Sequence, residues 1–397
     1  MRDHAAARPA PARRRLFGQH VTRNDVSDLI CAFCLRRADA SVLDPACGSG
    51  DMLRRAAARL ARLAPEGVLH GGRLTGTEID PLLAARAREA LPGAEIRTAD
   101  FLAGGPRVQP RLFDAIVGNP PYVRQELLDT ARKRALRAAL PPLPGAPAAS
   151  RRADLHLYFW PRALELLAPG GRLGFITSAA WLDAAYGAWL RRCLSDGFRV
   201  VAVIESAVES WFDDARVRSA VTVIERVSPA GAPPARFVRL EARLEDLVPL
   251  DRDEPERLAG FEELARRLGR DTPADPIAPA GSSIRIRRVP AGALGADPWG
   301  PALRMPEIYF EILAQAAGRL IPLAEVAEVR WGIKTGDDSF FCPDRDEAAS
   351  FDPRFVVPIA FSLMELDRLE VRSETLRRRL LRIDTRRPDH REALAGP

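Results

Sequence analysis

The sequence predicts an α/β fold in which helices cover a parallel sheet. Three observations carry this. An apolar run ends in an acid at Ala40 to Asp44, a glycine turn follows from Pro45 to Gly50, and Asp51 to Leu63 then shows helical spacing through Met52, Leu53, Ala56 and Leu60. The strand, turn and helix order recurs: Arg73 to Glu78 then a helix from Pro81 to Leu91, Ala94 to Thr98 then Asp100, and Phe113 to Val117 then a proline-rich turn. Alternation of this kind places parallel strands beneath crossover helices.

Ahead of the first strand, a helix is expected from Arg23 to Arg36. Past the fourth strand, Pro141 to Ser150 cannot continue a helix and reads as a loop. Leu155 to Leu167 reads as helix, Gly171 to Thr177 as strand, Trp181 to Leu194 as helix and Arg199 to Glu205 as strand, with Val217 to Arg226 closing the sheet. Ser228 to Ala235, rich in Pro, Gly and Ala, reads as an interdomain linker. In the second region Glu254 to Arg270 reads as a charged helix and Asp271 to Ser283 as Pro/Ala-rich chain.

With 397 residues, the chain has room for two to three domains at roughly 150 residues each. Glycine and proline, at 28 and 34 residues, are too few for a collagen-like or wholly disordered chain. The longest uncharged apolar stretch, Leu173 to Leu182, is about half of a membrane span. The N-terminus carries Arg2, Arg8, Arg13, Arg14 and Arg15 without an apolar core, so it is no secretory signal and a cytoplasmic, nucleoid-associated location is expected. Most of the net charge of +6 lies in this arm. Lys133 and Lys334 are the sole lysines, so the excess of arginine resembles a coding bias more than selection for phosphate contacts. The five cysteines offer one Cys-x-x-Cys, Cys31 and Cys34, and no second pair to complete a zinc site. Reduced, buried thiols and no metal are expected.

The chemistry concentrates at the strand ends. Asp44-Pro45-Ala46-Cys47-Gly48-Ser49-Gly50 lets backbone approach a ligand, but Leu53 stands where a dinucleotide fingerprint wants a third glycine. Strand two ends in Glu78-Ile79-Asp80, and strand three is followed by Asp100-Phe101. An acid after strand two suits a ribose diol, and the other carboxylates suit an ammonium or an adenine amino group. S-adenosylmethionine combines these parts with a sulfonium that carboxylates tolerate. Singly, each acid could be a solvated strand end.

Asn119-Pro120-Pro121-Tyr122 is the most specific signal. An exocyclic amine conjugated to a ring is a poor nucleophile. A carboxamide oxygen and the Pro120 carbonyl can accept both of its N–H bonds and favour a more tetrahedral nitrogen. The proline pair fixes φ and adds no competing donor, while Tyr122 offers a stacking face.

These segments resemble the γ-class N6-adenine DNA methyltransferases of the TaqI type, also found in type IIG restriction enzymes, over roughly residues 17 to 230. Phe17 to Thr22 is similar to the family's Gly-Gln-x-x-Thr-Pro, with Arg23 in place of the proline. Asp154 to Phe159, Asp-Leu-His-Leu-Tyr-Phe, is similar to its Asp-Leu-Tyr-x-x-Phe helix. The resemblance implies a Rossmann-like, S-adenosylmethionine-dependent methyltransferase sheet. It implies cofactor contacts at Thr22, Asp44, Pro45, Ala46, Cys47, Gly48, Gly50, Glu78, Ile79, Asp80, Asp100 and Phe101. Catalysis falls to Asn119, Pro120, Pro121 and Tyr122, and a flipped adenine is stacked by Tyr122 and Phe212.

Arg330 to Phe341 is similar to the segment that opens the family's recognition domain, implying DNA recognition by Lys334, Thr335 and Gly336. The expected organisation is a basic arm over 1–16, a catalytic domain over 17–229 and a smaller α+β recognition region over 230–397, incomplete against the family and without room for a nuclease. Double-stranded DNA is the expected partner, with a restriction endonuclease or specificity chain beside it, and no membrane. RNA or protein-glutamine methyltransferases, which also use Asn-Pro-Pro-Tyr or Asn-Pro-Pro-Phe, are the alternative, as is an inactive subunit that needs a partner chain.

Overall fold

The computed structural model describes residues 21–64, 73–103, 111–141, 153–212, 218–269, 283–316, 318–321, 323–328, 332–366 and 370–395. The N-terminal arm, most of the Pro141 to Ser150 loop and the Pro/Ala-rich chain from Asp271 lie outside these residues. The chain divides into two compact units, Met1–Phe310 and Glu311–Pro397.

The first unit is built on a nine-stranded sheet of order β3-β2-β1-β4-β5-β7-β6-β8-β9. Its strands are β1 Val42–Asp44, β2 Leu74–Glu78, β3 Glu95–Thr98, β4 Phe113–Gly118, β5 Leu167–Ser178, β6 Arg199–Ser206, β7 Ser219–Glu225, β8 Ala235–Leu240 and β9 Ile284–Val289. Strands β1 to β5 pair in parallel, so the strand order reverses between β1 and β4, where open α/β sheets bind ligands. Helices α1 Asn24–Cys34, α2 Asp51–Leu63, α3 Pro81–Ala90, α4 Thr130–Ala138, α5 Leu155–Leu166, α6 Ala188–Gly197 and α7 Glu254–Gly269 complete the layers. One apolar core joins α1, α2 and α7 to the sheet and holds Leu29, Leu53 and Phe261; the other joins α5 and α6 and holds Trp160, Phe175 and Trp181. Cys31, Cys34, Cys47 and Cys193 are reduced and buried in these cores.

Local physics explains the elements. Helix α2 opens with Asp51, carries Arg62 in its last turn, and buries the Met52, Leu53, Ala56 and Leu60 face. Asp80 caps α3 by accepting from the Leu82 N–H at 2.9 Å, with Pro81 at the first helical position. Helix α5 is buried almost all round, as its apolar run from Leu157 to Pro161 and the apolar Ala163 and Leu164 demand; Arg162 is buried with them.

The structure differs from the sequence expectation in three places. Val217 to Arg226 does not close the sheet: β7 enters antiparallel between β5 and β6. Ser228 to Ala235 joins two strands of one sheet, because β8 pairs in parallel with β6 and β9 follows at the edge. The compact unit therefore runs on to Phe310, well past the 229/230 boundary. In β8 the neighbouring Phe237 and Val238 point to opposite faces and both are buried, which a sheet interior covered on both sides satisfies. Finally, the helix expected from Trp181 to Leu194 breaks into short 3-10 turns before α6. The chain there passes so close to itself that a Cβ on Gly187 would lie 2.0 Å from the Trp181 carbonyl oxygen.

The second unit contains a two-stranded antiparallel ladder, Val356–Ile359 with Arg378–Leu381, among short helices. Among the described residues, no helix is long and apolar enough to cross a membrane.

Gly76 of β2 lies under the glycine turn, where a Cβ would meet the Cys47 Sγ at 2.7 Å and the Ile96 Cδ1 at 2.9 Å. Gly76→Ala is expected to destabilise the first unit by about 1–3 kcal/mol through overpacking. Urea unfolding checks this, and an unchanged midpoint would contradict the close approach.

Candidate active site

Strands β1, β2 and β4 deliver their ends to one edge. After Asp44, the turn reverses at two glycines in the left-handed region, Gly48 with φ 55° and Gly50 with φ 88°, which leads into α2. The turn is tied to its neighbour strand: Cys47 N–H donates to the Thr77 carbonyl at 3.0 Å, and Gly48 N–H donates to Glu78 Oε2 at 2.9 Å. The other Glu78 oxygen, Oε1, accepts from Asp80 N–H at 2.8 Å. One carboxylate thus fixes the glycine turn and the start of α3 together.

Asp44 is 2% exposed and accepts from the Ala46 N–H at 3.0 Å. Burial pushes its carboxyl up to about 7, and the nearby charge of Glu78 adds to the rise. Burial raises Glu78 as well, against the two amide donors that favour its charge. Gly118, the last residue of β4, packs against this carboxylate, since a Cβ there would sit 2.9 Å from Asp44 Oδ1. The Asn119-Pro-Pro-Tyr122 segment leaves β4 directly beside Asp44.

Around these acids the site is apolar on one side and basic on the other. Ile79 is about half exposed at the edge, whereas Asp80 is buried and occupied as a helix cap. Phe101 stacks on Phe159 with centroids 5.5 Å apart and planes 17° apart. Asp100 accepts from Leu102 N–H at 2.9 Å through Oδ1 and forms an ion pair with Arg132 of α4 through Oδ2. Arg132 was not singled out in the sequence; its signal is weak, a basic run, Arg132-Lys133-Arg134, 32 residues from its acid.

The structure brings Tyr122 and Phe212 together. Their centroids lie 5.5 Å apart with planes at 86°, so a flat base stacked on one ring meets the other at right angles. His156 of α5 packs on Tyr122 at 5.6 Å. Burial drops the His156 ring to about 3 and raises the Tyr122 phenol well above its ordinary value. Burial thus favours the neutral form of both rings near neutral pH. Thr22 forms a single antiparallel bridge with Phe212, which links the chain ahead of α1 to the Tyr122–Phe212 pair. Phe17 to His20 lie outside the described residues.

Lys334, Thr335 and Gly336 belong to the second unit. Thr335 donates to Asp338 Oδ1 at 2.5 Å and Gly336 takes φ 82°, a turn ahead of a helix over Asp338–Phe341. Among the described residues, no group of three or more His, Cys, Asp or Glu side chains is arranged to hold a metal ion.

The chain is similar to several known proteins. Residues 90–212, from the end of α3 through the Asn-Pro-Pro-Tyr loop to Phe212, match the family described as Eco57I restriction-modification methylase. The chain is 33% identical over 221 residues to the type II methyltransferase M.XhoI of Xanthomonas vasicola, a match covering 48% of this chain and 38% of that protein. It is 26% identical over 379 residues to the type II methyltransferase M.PaeR7I of Pseudomonas aeruginosa, covering 86% of this chain and 59% of that protein. The chain thus matches less than two thirds of the length of either relative. In fold, it is similar to the type IIG restriction endonuclease BpuSI, with a TM-score of 0.55 and 17% identity over 97% of this chain and 44% of that one. It is also similar to a modification subunit of a putative type I restriction enzyme from Vibrio vulnificus YJ016, with a TM-score of 0.53 and 17% identity over 75% of this chain and 61% of that one.

The raised carboxyl of Asp44 has a measurable consequence. Its folded value, about 7, lies above its unfolded value near 3.8, so its contribution to stability is fully present below about pH 4 and is lost as pH rises through 7. Asp44→Asn keeps an acceptor for Ala46 and removes the ionisation. Urea unfolding should show the variant gaining on the parent protein between pH 4 and 8, by up to about 4 kcal/mol. A stability difference that does not change with pH would contradict the burial of the charge.

Proposed function

We propose that the chain is an adenine-specific DNA methyltransferase of the γ class, dependent on S-adenosylmethionine and working within a restriction-modification system. The observation that carries this reading is the Asn119-Pro-Pro-Tyr122 segment. It leaves β4 at the point where the strand order reverses, next to a buried carboxylate, with Tyr122 already paired edge to face with Phe212.

The residues fit the cofactor. Buried Asp44 and Glu78 make an anionic, water-poor edge suited to a cation and to the hydroxyls of a ribose, the glycine turn admits close approach, and half-exposed Ile79 offers an apolar face to a purine. S-adenosylmethionine, when bound, supplies a methyl group carried on a cationic sulfur. The protein's part is positioning: Tyr122 stacks the extruded base, and Asn119 and the Pro120 carbonyl accept from its exocyclic amine. Pro120 and Pro121 hold that geometry without a competing backbone donor. No general base of raised pKa is needed, and the neutral Tyr122 and His156 supply none.

Double-stranded DNA is the proposed substrate. Lys334, Thr335 and Gly336 are proposed to contribute to its recognition, and a restriction endonuclease or a specificity chain is the proposed partner.

Methyl transfer from labelled S-adenosylmethionine to unmethylated genomic DNA, followed by nucleoside analysis, should give N6-methyladenine. Asn119→Ala should lower turnover by roughly 10²–10³-fold while cofactor binding persists. Label in RNA or protein and none in DNA would overturn the substrate class.

The Arg132–Asp100 ion pair occupies an acid assigned to the adenine of the cofactor. Arg132→Gln should therefore tighten S-adenosylmethionine binding, by up to about fivefold for a half-exposed pair. Calorimetry reads this directly; weaker binding would make Arg132 part of the cofactor site instead.

A further inference from the structure

Arg23 stands where the resembled family has proline, and its side chain makes contacts that no proline can make. Its Nη1 donates to Glu209 Oε2 at 2.6 Å and to the Ser210 carbonyl at 3.3 Å, and its Nε donates to Asp25 Oδ1 at 3.1 Å. Its backbone N–H reaches the Trp211 carbonyl at 3.5 Å, beside the Thr22–Phe212 bridge. The second oxygen of Glu209, Oε1, accepts from the Leu244 N–H at 2.8 Å, at the start of a short helix over Leu244–Leu247.

We propose that Arg23 and Glu209 are positioning residues, whose ion pair holds Phe212 against Tyr122 and sets Thr22 in register with it. The proposal rests on the methyltransferase reading above and adds to it a coupling between the cofactor side and the base side of the site.

Three observations support this assignment. The segment from Ala207 to Phe212 follows the end of β6 and has no helix or strand of its own; the Ala207 N–H donates to the Leu240 carbonyl at its start, and beyond that its path is fixed by side-chain bonds and by the backbone contacts of Thr22 and Arg23 with Phe212 and Trp211. The pair is shielded, with the Glu209 side chain 6% exposed and that of Arg23 19% exposed, so bulk water screens it little. Thr22 and Phe212, the residues adjoining it, are the ones implied to touch cofactor and base, and Phe212 meets Tyr122 edge to face. A purely structural staple would change only the fraction of folded protein, whereas a positioning pair changes turnover in the folded protein.

The test compares the parent protein with Arg23→Ala, Arg23→Lys, Glu209→Ala, Glu209→Gln and the Arg23→Ala/Glu209→Ala double variant. The readout is methyl transfer to unmethylated genomic DNA at saturating S-adenosylmethionine, below the melting temperature of each variant. The expected result is a fall in kcat on the order of 10²-fold for Arg23→Ala with little change in the KM for DNA. Arg23→Lys should recover part of that loss, since it restores the charge without the planar fork. Glu209→Gln, which keeps an acceptor for Leu244, should resemble Arg23→Ala. The double variant should fall below Arg23→Ala by no more than the loss of the Leu244 acceptor, because the ion pair that both changes remove is shared.

Parental kcat in folded Arg23→Ala or Glu209→Gln would overturn the proposal, as would losses that multiply in the double variant. Should Arg23→Ala fail to fold, Arg23→Lys and Glu209→Gln decide alone. A parent protein that methylates no DNA overturns the functional reading, and this inference with it. A parent that methylates DNA alongside equally active variants overturns the inference only.

Discussion

The Glu78 carboxylate is the constraint on which the candidate site depends. It is buried at the end of β2 and accepts from Gly48 N–H of the glycine turn and from Asp80 N–H at the start of α3. Each of those donors would otherwise be a backbone N–H facing a crowded strand end, and an unpaired buried N–H costs about 1–3 kcal/mol. These donors offset part of the cost of burying the charge, and burial still leaves the carboxyl raised. An amide at this position could offer one acceptor atom and would turn an N–H toward the other donor. The turn, the α3 cap and the neighbouring Asp44 therefore share one electrostatic arrangement.

That arrangement explains a selective use of arginine. The chain is rich in Arg, and acids elsewhere are paired with it: Asp28 with Arg55 and Arg257, Glu205 with Arg304, Glu225 with Arg36, Arg172 and Arg199. Among the described residues no salt bridge reaches Asp44 or Glu78, and Asp44 rises to about 7 as a result of its burial and the charge of Glu78. Asp100, the third acid of the edge, does have a cation in Arg132. A cation entering beside Asp44 and Glu78 meets no resident competitor, while a group seeking Asp100 does. The edge is thus polarised along its length, with its strongest demand for positive charge next to the Asn-Pro-Pro-Tyr loop.

The parts of this site that were legible in the sequence are the parts made by local chemistry. Strand, glycine turn and helix from Val42 to Leu63 follow from apolar spacing and two left-handed glycines. Asp44, Glu78 and Asn119 could be placed because each lies at the end of a short buried run, and Asp100 because it follows the next strand in the same repeating order. What was not legible depends on pairings between distant residues. The place of β7 between β5 and β6 rests on pairing with both of those distant strands, and its run of Val221, Val223 and Ile224, buried once placed, does not by itself say which strands it pairs with. Ser228 to Ala235 carries the same turn residues whether it joins strands or domains. Arg23 and Glu209 lie 186 residues apart, and nothing local to either announces the other.

The inserted strand also explains how an aromatic 90 positions after Tyr122 comes to face it. Both β5 and β6 pair antiparallel with β7, so β6 runs in the direction of β1, β4 and β5 and ends at the edge where Asp44 and Gly118 end. The chain then leaves β6 at Ser206 and re-enters the sheet at Ser219, which pairs with Ser178 at the end of β5. The intervening segment has to emerge on the ligand edge, and Phe212 with it. Had β7 run parallel, a crossover would have carried this segment to the opposite edge. Topology brings Phe212 to the correct edge but leaves its distance and angle to Tyr122 undetermined. Those are left to the bridge with Thr22 and the shielded Arg23–Glu209 pair next to it in the chain, which is why a residue ahead of the first helix bears on the geometry of the Tyr122–Phe212 pair.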